Sequence, residues 1–162
     1  MSQLIDKENL LEKVKKALNE GKEVAFIKTW TGLHVVGNRR FHNLSLVVEV
    51  DGAKILDADY ESDISDVADV EDAYDEVKEK VFDMMRDEAL NLLCEKLGFH
   101  DIEELEKEAE LWGDDEGNPM VRLENGKRYT AVFCHFHLHF YTGKDIETFV
   151  FHKPKLMELK DC

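Results

Sequence analysis

Residues 128–141 read Arg-Tyr-Thr-Ala-Val-Phe-Cys-His-Phe-His-Leu-His-Phe-Tyr, and their alternation decides the fold class. One parity holds Val132, Cys134, Phe136, Leu138 and Phe140, and the other holds Phe133, His135, His137, His139 and Tyr141. Successive side chains of a β-strand point to opposite faces. The pattern therefore predicts a strand with the first set in the core and the imidazoles on an open face.

Turn signals on both sides of this stretch predict a three-stranded meander. Asn125-Gly126 separates Pro119–Glu124 from Lys127–Tyr141, and Thr142–Lys144 leads into a last strand at Asp145–His152. A similar pattern occurs earlier in the chain. Strands are predicted at Lys22–Trp30 with a continuation at Leu33–Val36, at Arg39–Val50, and from Ala53 to about Tyr60.

Helical periodicity fills the remaining segments. A first helix begins at Asp6 or Ser2 and runs to about Asn19, and two more are predicted at Asp69–Leu97 and Asp101–Trp112. The order α-βββ-αα-βββ predicts an α+β fold. Its strands form one curved antiparallel sheet or two three-stranded sheets, with the helices covering one face. We expect a single domain over residues 1–162, with a flexible tail at 153–162.

Composition restricts the classes of function. The chain has 162 residues and a formal net charge of -15, so its field disfavours direct contact with nucleic acid or anionic membrane and favours basic partners. No apolar run has the length of a membrane span. The three cysteines are widely spaced, which disfavours a disulfide framework. We therefore expect a cytoplasmic protein, of a host or of a virus-infected cell.

The histidines define the first candidate site. A Gly143-Lys144 turn would place His135 opposite His152, and His135, His137 and His152 could then hold a divalent transition metal such as zinc. The same residues could instead act as acid–base groups of a small hydrolase, metal-assisted or metal-free, that cleaves a phosphodiester or nucleotide, with Arg39 or Arg40 as the anion clamp. A plain wet sheet face and a small-ligand pocket are the other interpretations.

Carboxylates define the second candidate site. Ten acids and no Lys or Arg occupy residues 57–76, the first acidic segment, and nine acids with one Lys occupy residues 101–116, the second acidic segment. Solubility is one explanation. The other explanation is recognition of a basic protein that handles nucleic acid. Alternate residues of a strand lie about 6.6 Å apart, which is comparable to the spacing of phosphates. The carboxylates could therefore mimic nucleic acid in an inhibitor-type interaction. The predicted contact residues are Asp57, Asp59, Glu61, Asp63, Asp66, Glu103, Glu106 and Glu110.

Overall fold

The computed structural model describes residues 5–36, 39–141 and 143–159. The elements in chain order are α1 (Lys7–Asn19), β1 (Val24–Val36), β2 (Arg39–Val50), β3 (Ala53–Asp63), α2 (Ile64–Leu97), α3 (Ile102–Glu108), β4 (Glu110–Gly113), β5 (Pro119–Arg122), β6 (Arg128–Tyr141) and β7 (Lys144–Leu159). This order confirms the predicted α+β class and the layout of two antiparallel meanders, with one strand more than predicted.

The strands form one sheet in which hydrogen-bonded neighbours follow the order β3-β2-β1-β7-β6-β5-β4. Antiparallel pairing places Phe26 of β1 opposite Val48 of β2, and Ser45 of β2 opposite Asp59 of β3. At the other end, Leu111 of β4 lies opposite Val121 of β5. Among the described residues, β3 and β4 are therefore the two edges of the sheet, each with a strand neighbour on one side only.

The chain forms two compact units, and the first comprises Met1–Val81 and His135–Val150. Helix α1 begins as predicted, because the Asp6 side chain caps it by accepting a hydrogen bond from the N–H of Asn9 at 3.1 Å. One face of β1 and β2 is buried against apolar residues of α1 and α2. This core contains Leu10, Val14, Leu18, Val24, Phe26, Leu44, Leu46, Val48, Tyr74, Val77 and Val81.

The second unit comprises Phe82–Cys134 and Phe151–Cys162. The ring of Phe82 on α2 lies 5.3 Å from that of Phe133 and 6.5 Å from that of Phe151, measured between centroids. The remaining core residues are Met85, Ala89, Leu93, Leu105, Val121 and Ala131. Gly117 closes this core at a positive φ of 91°, where a Cβ atom would lie 2.5 Å from the Phe82 ring.

Three boundaries differ from the sequence prediction. Strand β3 continues to Asp63 and α2 begins at Ile64, so the acid-rich residues after Tyr60 lie in regular structure. The helix predicted over Asp101–Trp112 ends at Glu108, and Ala109 is extended with φ -141° and ψ 160°. Residues 110–113 instead pair with β5, because ladder hydrogen bonds outweigh the helix propensity of this acid-rich segment.

The predicted tail is wrong for residues 153–159, which continue strand β7. Pro154 and Leu156 are half-buried there, whereas Lys153 and Lys155 are exposed. This alternation is that of a strand with one covered face, and the Pro and Lys residues concealed it in the sequence. Among the described residues, no helix is long and apolar enough to cross a membrane.

Candidate functional site

Strand β6 follows the predicted parity only in part. Cys134 is fully buried as expected, but Phe133 is also fully buried, although its parity was assigned to the open face. Leu138 and Phe140, assigned to the core, are 42% and 72% exposed. The assignment of a single buried face to the whole strand is therefore wrong.

Asn118 explains the change of face. Its Oδ1 accepts hydrogen bonds from the backbone N–H groups of both Phe133 and Cys134, each at 2.9 Å, and its Nδ2 donates to the Cys134 carbonyl at 2.9 Å. Successive N–H groups of a regular strand point in opposite directions, so two that share one acceptor indicate a bulge. A bulge shifts the alternation by one residue, which lets Phe133 and Cys134 both be buried.

The turn between β6 and β7 also differs from the prediction. Strand β6 ends at Tyr141 and β7 begins at Lys144, one residue earlier than expected. When a hairpin turn moves by one residue along the chain, each residue faces a partner two positions away from its former one. Accordingly, the rings of Phe136 and Phe149 lie 4.5 Å apart, where the predicted register had Phe136 facing Phe151. This shift removes the basis for placing His152 opposite His135.

The histidines are ordered along β6 but do not form a metal-binding group. The rings of His137 and His139 are exposed and stacked, with centroids 6.3 Å apart, close to the separation expected for alternate residues on one face. His135 is half-buried, and His152 Nδ1 lies 2.8 Å from the Lys153 carbonyl, to which it donates. Over residues 5–36, 39–141 and 143–159, no three His, Cys, Asp or Glu side chains are grouped so that they could hold a metal ion.

The proposed anion clamp falls on residues whose side chains lie outside the description. The backbones of Arg39 and Arg40 belong to β2 and pair with Val36 and Val35 of β1. Lys28, in the same stretch without acids, is not available to a ligand because it is only 3% exposed.

Lys28 of β1 and Lys78 of α2 instead form a charged cluster with acids of α2 and β7. Lys28 Nζ lies 2.6 Å from Asp75 Oδ1 and 3.4 Å from Glu71 Oε1. Lys78 Nζ lies 2.8 Å from Glu147 Oε1 on β7 and 3.4 Å from Asp75 Oδ1. Both cations also lie over aromatic rings, with Lys28 5.3 Å from the Trp30 centroid and Lys78 4.5 Å from the Phe149 centroid. Each charge is compensated within the first unit, so the cluster holds α2 on β1 and β7.

The sequence contains a signal for this cluster in the position of Lys28. Lys28 shares its parity with Val24 and Phe26, both fully buried, so a charged residue occupies the core face of a strand. A buried cation requires an opposite charge. The Asp and Glu residues of the following helix were the available partners, and four-residue spacing places Glu71 and Asp75 on one face of it.

The two acidic segments differ in how far the protein neutralises them itself. In the first, Asp57 pairs with Lys54, Glu71 and Asp75 with Lys28, and Glu76 with Lys7 and Lys80. Hydrogen bonds from Lys7 and Lys80 lower the pKa of the Glu76 carboxyl. Asp57 and Asp59 are exposed on β3, whereas the side chains of Glu61, Asp63 and Asp66 lie outside the described ones.

The second acidic segment has few internal partners. Asp101 caps α3 by accepting the N–H of Glu104 at 2.8 Å, and this hydrogen bond lowers the pKa of its carboxyl. Glu103, Glu106, Glu108 and Glu110 are all exposed. No Lys or Arg nitrogen among the described residues forms an ion pair with these four carboxylates. Lys107 lies within α3 and Arg122 lies opposite Glu110, so α3 and β4 carry an excess of negative charge that these two cations offset only in part.

The exposed side chain of Trp112 adds an aromatic group to this surface. Trp112 is 39% exposed and lies on β4, two residues after Glu110 and four after Glu108. A cleft of about 560 Å³ adjoins it, with Phe82, Leu111 and Pro119 among its apolar lining residues and Arg86 and Glu106 as its charged ones. The helical period predicts Trp112 at the end of a helix, and the pairing of β4 with β5 places it on a sheet edge instead.

The chain was compared with protein-family models, with curated proteins and with solved structures, and none of the three comparisons finds a match.

Proposed function

We propose that the protein binds a basic macromolecular partner through the second acidic segment, residues 101–116. The observation that carries this proposal is the group of four exposed carboxylates, Glu103, Glu106, Glu108 and Glu110, that lack ion-pair partners among the described residues. Like charges held together without compensation reduce folding stability. A partner that supplies the missing cations would relieve this repulsion and would be steered towards the surface from a distance.

The partner that best fits this chemistry is a protein that handles nucleic acid. Such a protein carries a groove of Lys and Arg residues that normally contacts phosphates. Asp57 and Asp59 on β3 provide a second exposed pair of carboxylates, two residues apart on one strand and therefore at a separation comparable to that of phosphates. Occupation of a nucleic-acid groove by carboxylates would make the protein an inhibitor of its partner.

The test uses a panel of purified DNA- and RNA-binding proteins, freed of nucleic acid, and measures their affinity for the full chain by calorimetry at several salt concentrations. We expect at least one to bind, with affinity falling steeply as salt rises. Double-stranded DNA or structured RNA should displace the chain if both occupy one groove. An affinity that does not change with salt concentration, or binding that persists when nucleic acid fills the groove, would refute the proposal.

A matched pair of variants locates the contact. The variant Glu103→Gln/Glu106→Gln/Glu110→Gln removes three charges from the proposed surface. The variant Glu12→Gln/Glu88→Gln/Glu95→Gln removes three exposed charges elsewhere. The first should weaken binding by about two- to five-fold per residue, from roughly 0.5–1 kcal/mol for an exposed pair, and the second far less. Equal losses in both variants would mean that net charge, and not this surface, governs binding.

A further inference from the structure

We infer that the free edge of strand β4 accepts an extended basic segment of the partner as an additional strand of the sheet. This inference rests on the proposed function, because the charge that selects the segment belongs to residues 101–116. It goes further in naming the backbone groups that bind, the conformation of the bound segment and the pattern of its side chains. Addition of a strand at a sheet edge is a common mode of peptide recognition.

The backbone geometry identifies the groups that would receive this segment. The N–H of Asp114 donates to the Asn118 carbonyl at 3.0 Å, and Trp112 and Glu110 lie opposite Met120 and Arg122 of β5. In an antiparallel ladder, residues that bond to the neighbour alternate with residues that bond away from it. Leu111 and Gly113 therefore direct their N–H and C=O groups away from β5, towards the side on which β4 has no neighbour among the described strands.

The cleft beside β4 selects the side chains that point inward from such a strand. Phe82, Leu111 and Pro119 are apolar residues of its lining, Arg86 and Glu106 are the charged ones, and its volume of about 560 Å³ accommodates more than one side chain. Arg86 and Glu106 carry opposite charges in this cleft, so an uncharged side chain enters it without repulsion from either. Because alternate residues of a strand lie about 6.6 Å apart on one face, one parity of the bound segment enters the cleft and should be apolar.

The carboxylates around β4 favour basic side chains at those alternate positions of the bound segment that do not enter the cleft. Glu106, Glu108 and Glu110 are exposed beside the edge, so Lys or Arg at alternate positions would meet carboxylates. The same charge disfavours a second copy of this chain as the occupant, since two chains of net charge -15 would bring these carboxylates together. The geometry thus points to a segment in which basic and apolar residues alternate.

The experiment uses an eight-residue synthetic peptide of alternating lysine and valine, titrated into the full chain labelled for NMR. The peptide should protect the amides of Leu111 and Gly113 from hydrogen exchange. Two further peptides carry N-methyl groups at the valines only or at the lysines only. One of these should lose affinity about tenfold or more, because N-methylation removes the donors that face β4, whereas the other should bind as the parent does.

The outcomes separate this inference from the proposed function. If the lysine–valine peptide does not bind, or if both N-methylated peptides bind as the parent does, strand addition at β4 is overturned, while the panel of nucleic-acid-binding proteins still tests the basic partner. A threonine–valine peptide that binds as tightly, with the same dependence on N-methylation, would support the edge and overturn the preference for a basic segment. Loss of binding in Glu106→Gln/Glu110→Gln, but not in Glu88→Gln/Glu95→Gln, would support both.

Discussion

Tyr74 shows how a single buried group is stabilised by its surroundings and destabilised by one unmet hydrogen bond. The side chain is fully buried, with its ring 5.6 Å from that of Phe26 and beneath the Nζ atoms of Lys28 and Lys78. Its hydroxyl has no hydrogen-bond partner among the described residues. A buried polar group without a partner costs about 1–3 kcal/mol. We therefore expect Tyr74→Phe to raise the free energy of unfolding at pH 7 by roughly 1 kcal/mol, measured by urea denaturation.

The same residue makes stability depend on alkaline pH. Burial, together with the charges of Glu147 and Asp75, raises the pKa of the Tyr74 phenol well above its ordinary value of 10.0. Above pH 10 the unfolded chain loses this proton and the folded chain keeps it, so the free energy of unfolding should fall with pH, by at most about 1.4 kcal/mol per unit. Tyr74→Phe should lack this component, and Tyr129→Phe should retain it. Parallel pH profiles for Tyr74→Phe and the parent chain would contradict the assignment.

At the scale of elements, Asn118 fixes the course of β6. It is 1% exposed, and Asn118→Ala would leave the buried N–H groups of Phe133 and Cys134 without their acceptor. We expect a loss of about 2–5 kcal/mol in the free energy of unfolding and faster hydrogen exchange at these two amides. Asn125→Ala is the control, because Asn125 makes a similar hydrogen bond to the N–H of Lys127 in an exposed turn. Equal losses in the two variants would show that the Asn118 hydrogen bonds do not hold the bulge.

The elements also show where sequence patterns are sufficient. The predicted helix α1 is confirmed, with Asp6, one of its two predicted starts, as the cap, because a cap and a helical period are local properties. The helix predicted through Trp112 was wrong, because residues 110–113 gain a ladder with β5 that no local pattern reveals. Residue pairs such as Lys28 and Asp75 are far apart in the chain, and only the packing of α2 on β1 brings them together.

At the scale of the whole molecule, the clustered charge should make stability depend on salt. The formal net charge is -15, and the acids of α3 and β4 have few cationic partners among the described residues. Added sodium chloride screens their repulsion, so the melting temperature should rise by about 2–5 °C between low and near-molar salt. Glu103→Gln/Glu106→Gln/Glu110→Gln should reduce this rise more than Glu12→Gln/Glu88→Gln/Glu95→Gln. Scanning calorimetry of the three chains measures the difference, and a melting temperature independent of salt would contradict the expectation.

The sequence by itself determined the fold class, the order of the six predicted strands and the location of the concentrated charge, because alternation, turn residues and composition are local. Only the tertiary structure decided which of those charges are neutralised and which face of β6 is buried. Neutralisation depends on distances between residues far apart in the chain, such as Lys28 with Glu71 or Lys78 with Glu147. The buried face of β6 depends on one side chain, Asn118, which alters the alternation at Phe133 and Cys134 from outside the strand.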